Sequence, residues 1–521
     1  MFYSLLMERI FYRIKGGERM EKTQVLSKYL KTGEMYKESL RDGRAVYYKG
    51  ELIPDVTAHP ATSGGINIMA KIFDAQHDPE MQDRLTYLNP ELGERVSKAW
   101  MIPRTKEDLK SRRELIDYVA QETFGVFGRP FDLAPLVPVG MAAYLSQFRK
   151  KRPEYAENVL HYIDYAQKNN LMGPEVLVDP QNDRSKAAAA GARLFDVELG
   201  SKMKGGDSTP ALLRVVKETE EGIYISGAKA VGSVSSQGNE MILSNLMRPG
   251  LLPEESLWLA VPINAPGVHI VCRETVSVDS ASSYDHPVKS RGEEMDSFLI
   301  FDNVFVEKWR IFNYGVPELN ELYGSVVLGV HWHVLSRLAT KAEMYVGAAQ
   351  LIVEALGTGK IPGVRSIVSE VIQYAQTLRA YVLASEELAK LTEDGVMWPD
   401  VNMLTAGRLY GIVHYPQMIH HLQELCGQGL VMRFSEKDYE HPYIGGKLEE
   451  LLFGRGLTSK QKNLLMNFIW DITTDSHAGR VGLFENVNAL PAPLLRERLY
   501  HEYDRTPFMN QIRKSIGLPL A

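Results

Sequence analysis

Apolar positions along the chain change their spacing twice. From residue 21 to about 171, charged helix formers carry spaced apolar residues, as in Thr105–Glu122 and Pro153–Lys168, and predict a mostly helical stretch. From about 172, short β-branched and aromatic runs follow one another: Gly222–Val231, Leu257–Ile263, Val268–Val276 and Ser297–Val306. Turn residues separate them, as in Asn264-Ala265-Pro266-Gly267. No helical pattern lies between these runs, so they predict an antiparallel sheet or barrel rather than a Rossmann array. After about 310 the helical period returns. Ile367, Val371, Tyr374, Leu378 and Tyr381 step by four, three, four and three, a stripe suited to bundle packing. Val334–Leu356, Asn402–Cys426 and Ser459–Thr474 predict further bundle helices.

The expected fold class is therefore α+β, in three units: an N-terminal helical domain (21–171), a middle β domain (172–309) and a C-terminal helical bundle (310–521). Residues 1–20 read as a leader or an over-extended start, with Met20 rather than Met1 as initiator. Glu8 and Arg9 interrupt that apolar run after seven residues, and no basic region precedes it, so it is a poor signal peptide.

Composition narrows the function. A length of 521 residues suits two to four domains at roughly 100–200 residues each. With 59 basic and 65 acidic side chains the net charge is −6, without the basic footprint of a nucleic-acid binder. Cys272 and Cys426 are the only cysteines, too few for a disulfide framework, a Cys₄ zinc site or a thiolate-bound cluster. A reducing, cytoplasmic setting is expected. No apolar run approaches the roughly 20 residues that cross a bilayer, so no membrane partner is expected.

The nucleotide fingerprints are missing. There is no G-x-G-x-x-G, and Gly357-Thr358-Gly359-Lys360 lacks phosphate-loop spacing; it reads as a helix C-cap and turn. G-x-S-x-G and H-E-x-x-H are also absent. In His331-Trp332-His333 the two imidazoles would lie about 200° apart on a helix, which disfavours a shared metal ion; packing or a single catalytic histidine are the other readings. Arg129, before Pro130, is pushed to extended geometry, either to cap helix carbonyls or to stand as a fixed cation facing an anion. Asp179-Pro180-Gln181-Asn182-Asp183-Arg184 reads as a polar turn. Ser233-Val234-Ser235-Ser236, directly after a strand, offers hydroxyls and N–H groups to a solvated turn or to a polar heterocycle.

Taken together, these blocks resemble the oxygenase components of the 4-hydroxyphenylacetate 3-monooxygenase family, and most of all its chlorophenol and nitrophenol monooxygenase branch. The resemblance runs from Thr32-Gly33-Glu34-Met35-Tyr36 through Leu490. It includes Ser39-Leu40-Arg41-Asp42-Gly43-Arg44, Asp55-Val56-Thr57-Ala58-His59-Pro60, Asp179 to Ser185, Ser226-Gly227-Ala228-Lys229-Ala230, Val271-Cys272-Arg273-Glu274, Phe301-Asp302-Asn303-Val304-Phe305 and Phe484-Glu485-Asn486-Val487-Asn488. It implies an acyl-CoA dehydrogenase-like fold with a middle β-barrel, a homotetramer, and FAD used as FADH₂ from a separate NAD(P)H flavin reductase. The implied reaction is hydroxylation of a small aromatic substrate, a phenol, by O₂ through a C4a-hydroperoxyflavin, with loss of a halide or nitro group in some branches.

By the same resemblance, Arg129 contacts the flavin and phenol, and His331 deprotonates the phenol. Gln181, Asn182, Asp183 and Arg184, Ser233, Val234, Ser235 and Ser236, and Ala478, Gly479, Arg480 and Val481 match flavin-binding segments. Asn486 and Asn488 match the substrate side. Leu133 and Glu175 stand where the 4-hydroxyphenylacetate enzymes carry a tyrosine and a histidine, and Gly482 where the halophenol enzymes carry an aromatic ring; these departures imply a different or bulkier aromatic. The dehydratase branch of the fold, with an iron–sulfur cluster, needs cysteines that Glu122–Gly128 lacks. No metal is expected. A flavoenzyme of this fold oxidising or dehydrating a non-phenolic substrate, and a non-catalytic flavin binder, are the competing readings.

Overall fold

The computed structural model describes residues 27–128, 131–180, 212–245, 252–277, 282–487 and 490–520. Its helices follow the sequence signals closely. Lys106–Glu122 opens with a reciprocal capping box between Thr105 and Asp108, and Pro153–Lys168 begins with proline in its first turn, where no N–H is needed. The C-terminal bundle is built on three long helices, Leu328–Leu356, Pro362–Glu387 and Val401–Cys426. The first starts six residues earlier than the period predicts, which brings His331 and His333 into a helix. It ends at Gly357, whose φ of +68° makes the left-handed C-cap that the sequence indicates. On Pro362–Glu387 the stripe residues Val371, Tyr374 and Leu378 are buried, and Ile367 and Tyr381 pack at its margin.

Among the described residues, apart from a two-residue pair in the bundle (Lys390–Leu391 with Met397–Trp398), the strands are, in chain order, β1 (Ala45–Tyr48), β2 (Glu51–Leu52), β3 (Thr86–Asn89), β4 (Glu94–Ser97), β5 (Glu175–Val176), β6 (Arg214–Glu218), β7 (Gly222–Lys229), β8 (Glu240–Ser244), β9 (Leu257–Pro262), β10 (Val268–Cys272), β11 (Ser297–Glu307) and β12 (Ile311–Tyr314). β3 and β4 form a hairpin of their own. The others make a six-stranded sheet, β2-β1-β10-β11-β7-β6, and a four-stranded one, β12-β9-β8-β5. Neither closes, so among the described residues the β region is a pair of open sheets instead of the expected barrel. The burial of each sheet explains this. β11 alternates buried and exposed positions along its length, so the larger sheet covers the core with one face only. β8 is buried throughout: β9 beside it packs on β11, while Phe148 stacks on Trp258 of β9 and Tyr162 lies edge-on to Phe312 of β12. Helices on the far side of the small sheet do the covering that closure would otherwise do.

Among the strands named above, in the described residues, two pairings are parallel, β1 with β10 and β5 with β8. Both join strands far apart in sequence, and local turn spacing cannot announce them.

Candidate active site

A cavity of about 780 Å³ lies between the larger sheet and the helix Ser476–Val487. The sheet side supplies Ala230 and Val231 after β7, Val271 and Cys272 of β10, and Ser297 and Phe298 of β11. The helix supplies Ser476, Gly479, Arg480, Leu483, Phe484 and Val487, whose spacing of three and four sets them on one face. Its other face, His477, Ala478, Val481 and Glu485, is buried in the bundle. A volume of this size with mostly apolar walls is typical of a cofactor or ligand pocket. The rim is conspicuously apolar: Leu483 is 70% and Val487 62% exposed, with Val231, Val271 and Phe298 partly exposed beside them. Clustered exposure of this kind marks a surface that a ligand or partner covers.

The polar floor of the cavity is one charge network. Asp296 accepts hydrogen bonds from Ser233 Oγ (2.6 Å), Arg273 Nε (2.9 Å) and Arg480 Nε and Nη2 (2.8 and 2.5 Å). Burial raises the Asp296 carboxyl, but the two guanidiniums outweigh that and hold it well below the usual carboxylate range. Arg480 Nη1 also pairs with the buried Glu294 at 2.9 Å, and Glu294 accepts from the Gly128 N–H at 2.8 Å. Three segments singled out in the sequence, the loop before Arg129, Ser233–Ser236 and Ala478–Val481, are thus linked through Glu294, Asp296 and Arg480.

Within Ser233–Ser236 the backbone is strained. Val234 is fully buried with φ +60° and ψ 12°, a left-handed conformation unfavourable for a β-branched residue. Its N–H donates to the Met295 carbonyl at 2.9 Å, which ties the turn to the acidic segment. Ser235 Oγ is buried without a hydrogen-bond partner among the described residues, and Ser236 is buried beside Cys272.

His331 is buried in the first turn of the helix Leu328–Leu356, with Nδ1 unpartnered among the described residues. Burial, helped by the positive fields of Arg498 and Arg408, pushes its pKa well below the ordinary histidine value, so the imidazole is neutral and can accept a proton bond. His333, on another side of the helix, has Nε2 3.0 Å from the buried Asp132 carboxylate. Trp332 donates to Glu386 at 3.1 Å.

The structure gathers some of the predicted residues and not others. Gly479 and Arg480 line the cavity, and Ser233 reaches it through Asp296. Ala478 and Val481 back the same helix from its buried face. Asn486 is half-buried on that helix, outside the lining. Leu133 is core, Glu175 is buried in β5, and neither they nor His331 line this cavity. Arg129, Gln181, Asn182, Asp183, Arg184 and Asn488 lie outside the described residues. Sequence reasoning missed Arg273, Glu294 and Asp296. The signal was present: Glu293-Glu294-Met295-Asp296 sets three carboxylates directly before an apolar strand, and Glu293, Glu294 and Ser297 are buried.

Residues 32–313 match the family model described as 4-hydroxyphenylacetate 3-hydroxylase N terminal, and residues 321–517 match its C-terminal counterpart. The chain is 32% identical to the oxygenase component of 4-nitrophenol 4-monooxygenase/4-nitrocatechol 2-monooxygenase from Rhodococcus opacus, over 94% of this chain and 91% of that protein. It is 31% identical to the 2,4,6-trichlorophenol monooxygenase of Cupriavidus pinatubonensis, over 94% and 93% respectively. The crystal structure of the oxygenase component of 4-hydroxyphenylacetate 3-monooxygenase complexed with FAD superposes with a TM-score of 0.85 at 31% identity, covering 93% of this chain and 98% of that one. The overall fold is acyl-CoA dehydrogenase-like, with open sheets in its middle. Matches to both halves, in order and over nearly the whole described chain, place this protein in the 4-hydroxyphenylacetate 3-hydroxylase family.

Proposed function

We propose that this protein is the oxygenase component of a two-component monooxygenase, hydroxylating a phenol with O₂ and FADH₂ made by a separate NAD(P)H flavin reductase. The observation that carries the reading is the charge network on the floor of the cavity, which ties three family segments to one binding-sized space. The residues present fit FAD. A Cβ built on Gly479 would meet no atom within 4 Å, so this stretch of helix leaves a bare wall for a flat ring. Ser235 offers a buried hydroxyl in want of a partner, and Arg273 and Arg480 offer cations. Reduced FAD, when bound, supplies with O₂ the electrophilic oxygen that an electron-rich ring takes up.

The chain's own residues do the rest. Ser233, Val234, Ser235, Ser236, Ala478, Gly479, Arg480 and Val481, with Gln181, Asn182, Asp183 and Arg184, hold the flavin. His331 accepts the phenol proton on its unpartnered nitrogen, which leaves a phenolate far richer in electrons at its ortho and para carbons. General-base help of this kind is typically worth roughly 10²–10⁴-fold. Arg129, a permanent cation, balances that negative charge by the family resemblance. Leu133, Glu175, Asn486 and Asn488 shape the substrate side. The apolar rim, once covered, keeps water from the reacting atoms. Assembly as a homotetramer and a cytoplasmic location belong to the same proposal, as does the division at residues 172 and 310 into three units.

The test is a single-turnover experiment. The protein is loaded anaerobically with FADH₂, mixed with O₂ and a panel of phenols that includes nitro- and chlorophenols, and assayed for hydroxylated product and H₂O₂. At least one phenol should be hydroxylated in place of peroxide formation. Release of all the oxygen as H₂O₂ with every phenol would overturn the proposal.

A further inference from the structure

The helix that walls the cavity is held from behind by a buried carboxylate. Glu485, 1% exposed, faces away from the cavity and accepts two hydrogen bonds from Arg337, Nη1 to Oε1 and Nη2 to Oε2, each at 2.8 Å. Lys341 Nζ adds a third at 3.2 Å. Burial raises the Glu485 carboxyl, but the two cations more than offset it and hold the group at about 2, so it stays charged in any physiological setting. Ion pairs buried this deeply rarely add net stability over apolar packing of the same volume; what they add is direction.

Here the direction points at the loop that the cavity helix rests on. Arg337 Nη1 also donates to the Gly125 carbonyl at 2.8 Å. Gly125 has φ +63°, and a Cβ there would stand 2.6 Å from Lys341 Cβ, so this turn rests on the helix that carries both cations. Three residues on, a Cβ at Gly128 would overlap the Phe484 ring: only glycine lets that ring of the cavity helix lie on this loop. The guanidiniums of Arg337 and Arg480 lie 5.3 and 5.2 Å from the centre of that ring, close enough for cation–π attraction.

We propose that Glu485 and Arg337 are positioning residues: their two-pronged pair fixes the cavity helix Ser476–Val487 against the loop Gly125–Gly128, and so sets the width of the slot between that helix and the larger sheet. The flavin as occupant of the slot rests on the function proposed above; the clamp itself does not.

The experiment compares wild type, Arg337→Lys and Arg113→Lys in the full-length protein. Arg113 pairs with the buried Glu386 at 2.7 Å and lines no part of the cavity, so its variant reports the loss of a part-buried ion pair as such. Amide hydrogen exchange of the flavin-free protein and FAD titration are read together. Arg337→Lys should speed exchange at least tenfold in both 123–128 and 476–487 and weaken FAD binding at least tenfold, while Arg113→Lys changes neither. Unchanged exchange in Arg337→Lys, or an equal effect from Arg113→Lys, would overturn the clamp. If Arg337→Lys does not fold, Glu485→Gln, which keeps the side-chain shape but can accept only one of the two prongs, decides: it should raise exchange at least twofold in the same two segments, and no rise there overturns the proposal. A wild type that binds no FAD defeats the flavin reading, while the exchange data still judge the clamp.

Discussion

Arg480 closes on Asp296 with two nitrogens while Ser233 donates to the same carboxylate from the opposite segment, so one aspartate ties helix, strand and turn together. Asp296→Asn keeps the shape and removes the charge, leaving two guanidiniums short of a partner. Removing one member of a largely buried pair costs about 2–4 kcal/mol once partial exposure is allowed for. Urea unfolding should show that loss, and FAD titration at least a tenfold weaker complex. An unaltered unfolding midpoint would mean that the network is ornamental.

His331→Ala tests the base. FADH₂ binding should stay within about twofold of wild type, while product formation in a single turnover slows at least tenfold, the low end of general-base contributions. Because burial and two arginines already keep the imidazole neutral, the wild-type rate should not fall through protonation of this residue between pH 8 and 6. A variant with an undiminished rate removes His331 from the mechanism.

Acid should weaken the fold through His477 before it touches the carboxylates. Burial lowers this histidine to about 4, while in the unfolded chain it titrates near 6.5. The unfolded chain therefore takes up the proton first, and stability drops as pH falls below about 6.5, levelling off under about 4. Glu485, held at about 2, has the same sign in a lower window: its contribution is present above its unfolded value and disappears as pH falls towards 2. Compared with His477→Asn, the wild type should lose about 2 kcal/mol more between pH 7.5 and 5. Parallel stability curves for the two proteins would contradict the assignment.

Gly479 and Gly482 form a natural pair of controls. Both lie inside the helix Ser476–Val487, and a Cβ on either would meet no atom within 4 Å, but only Gly479 lines the cavity. Alanine at 482 should raise stability by about 0.5–1 kcal/mol, the helix penalty of glycine, with FAD affinity unchanged. Alanine at 479 should give a similar gain in stability yet weaken FAD at least fivefold, because its methyl group enters the slot. Thermal unfolding and FAD titration of the two variants decide; equal affinities would move the flavin elsewhere.

Much of the fold was legible because it is written in local periods. Pro153–Lys168 begins and ends where the sequence places it, and Val401–Cys426 differs from its expected span by one residue. The site was legible in a different way. Gly479, Arg480 and Ser233 came from matching blocks, and no period singles them out. Asp296 and Glu294 escaped because their meaning lies in partners roughly 60–180 residues away, Ser233, Gly128 and Arg480, and a carboxylate in sequence reads as surface until burial is known. The open sheets escaped for a related reason: whether an edge closes or is covered depends on which helices arrive above it, and β1 and β5 join through parallel pairings with no local turn.

That first parallel pairing also bears on how the polypeptide is made. Ala45–Tyr48 cannot find its second neighbour until Val268–Cys272 has left the ribosome, roughly 200 residues later, an interval on the order of 10–40 s at ordinary rates of synthesis. During that wait β1, paired with β2 on one side, keeps its other edge bare, open to capture by chaperones or by another nascent copy. Slow, late completion of the larger sheet makes yield at the bench a matter of growth temperature and translation speed, even for substitutions that leave the finished enzyme untouched.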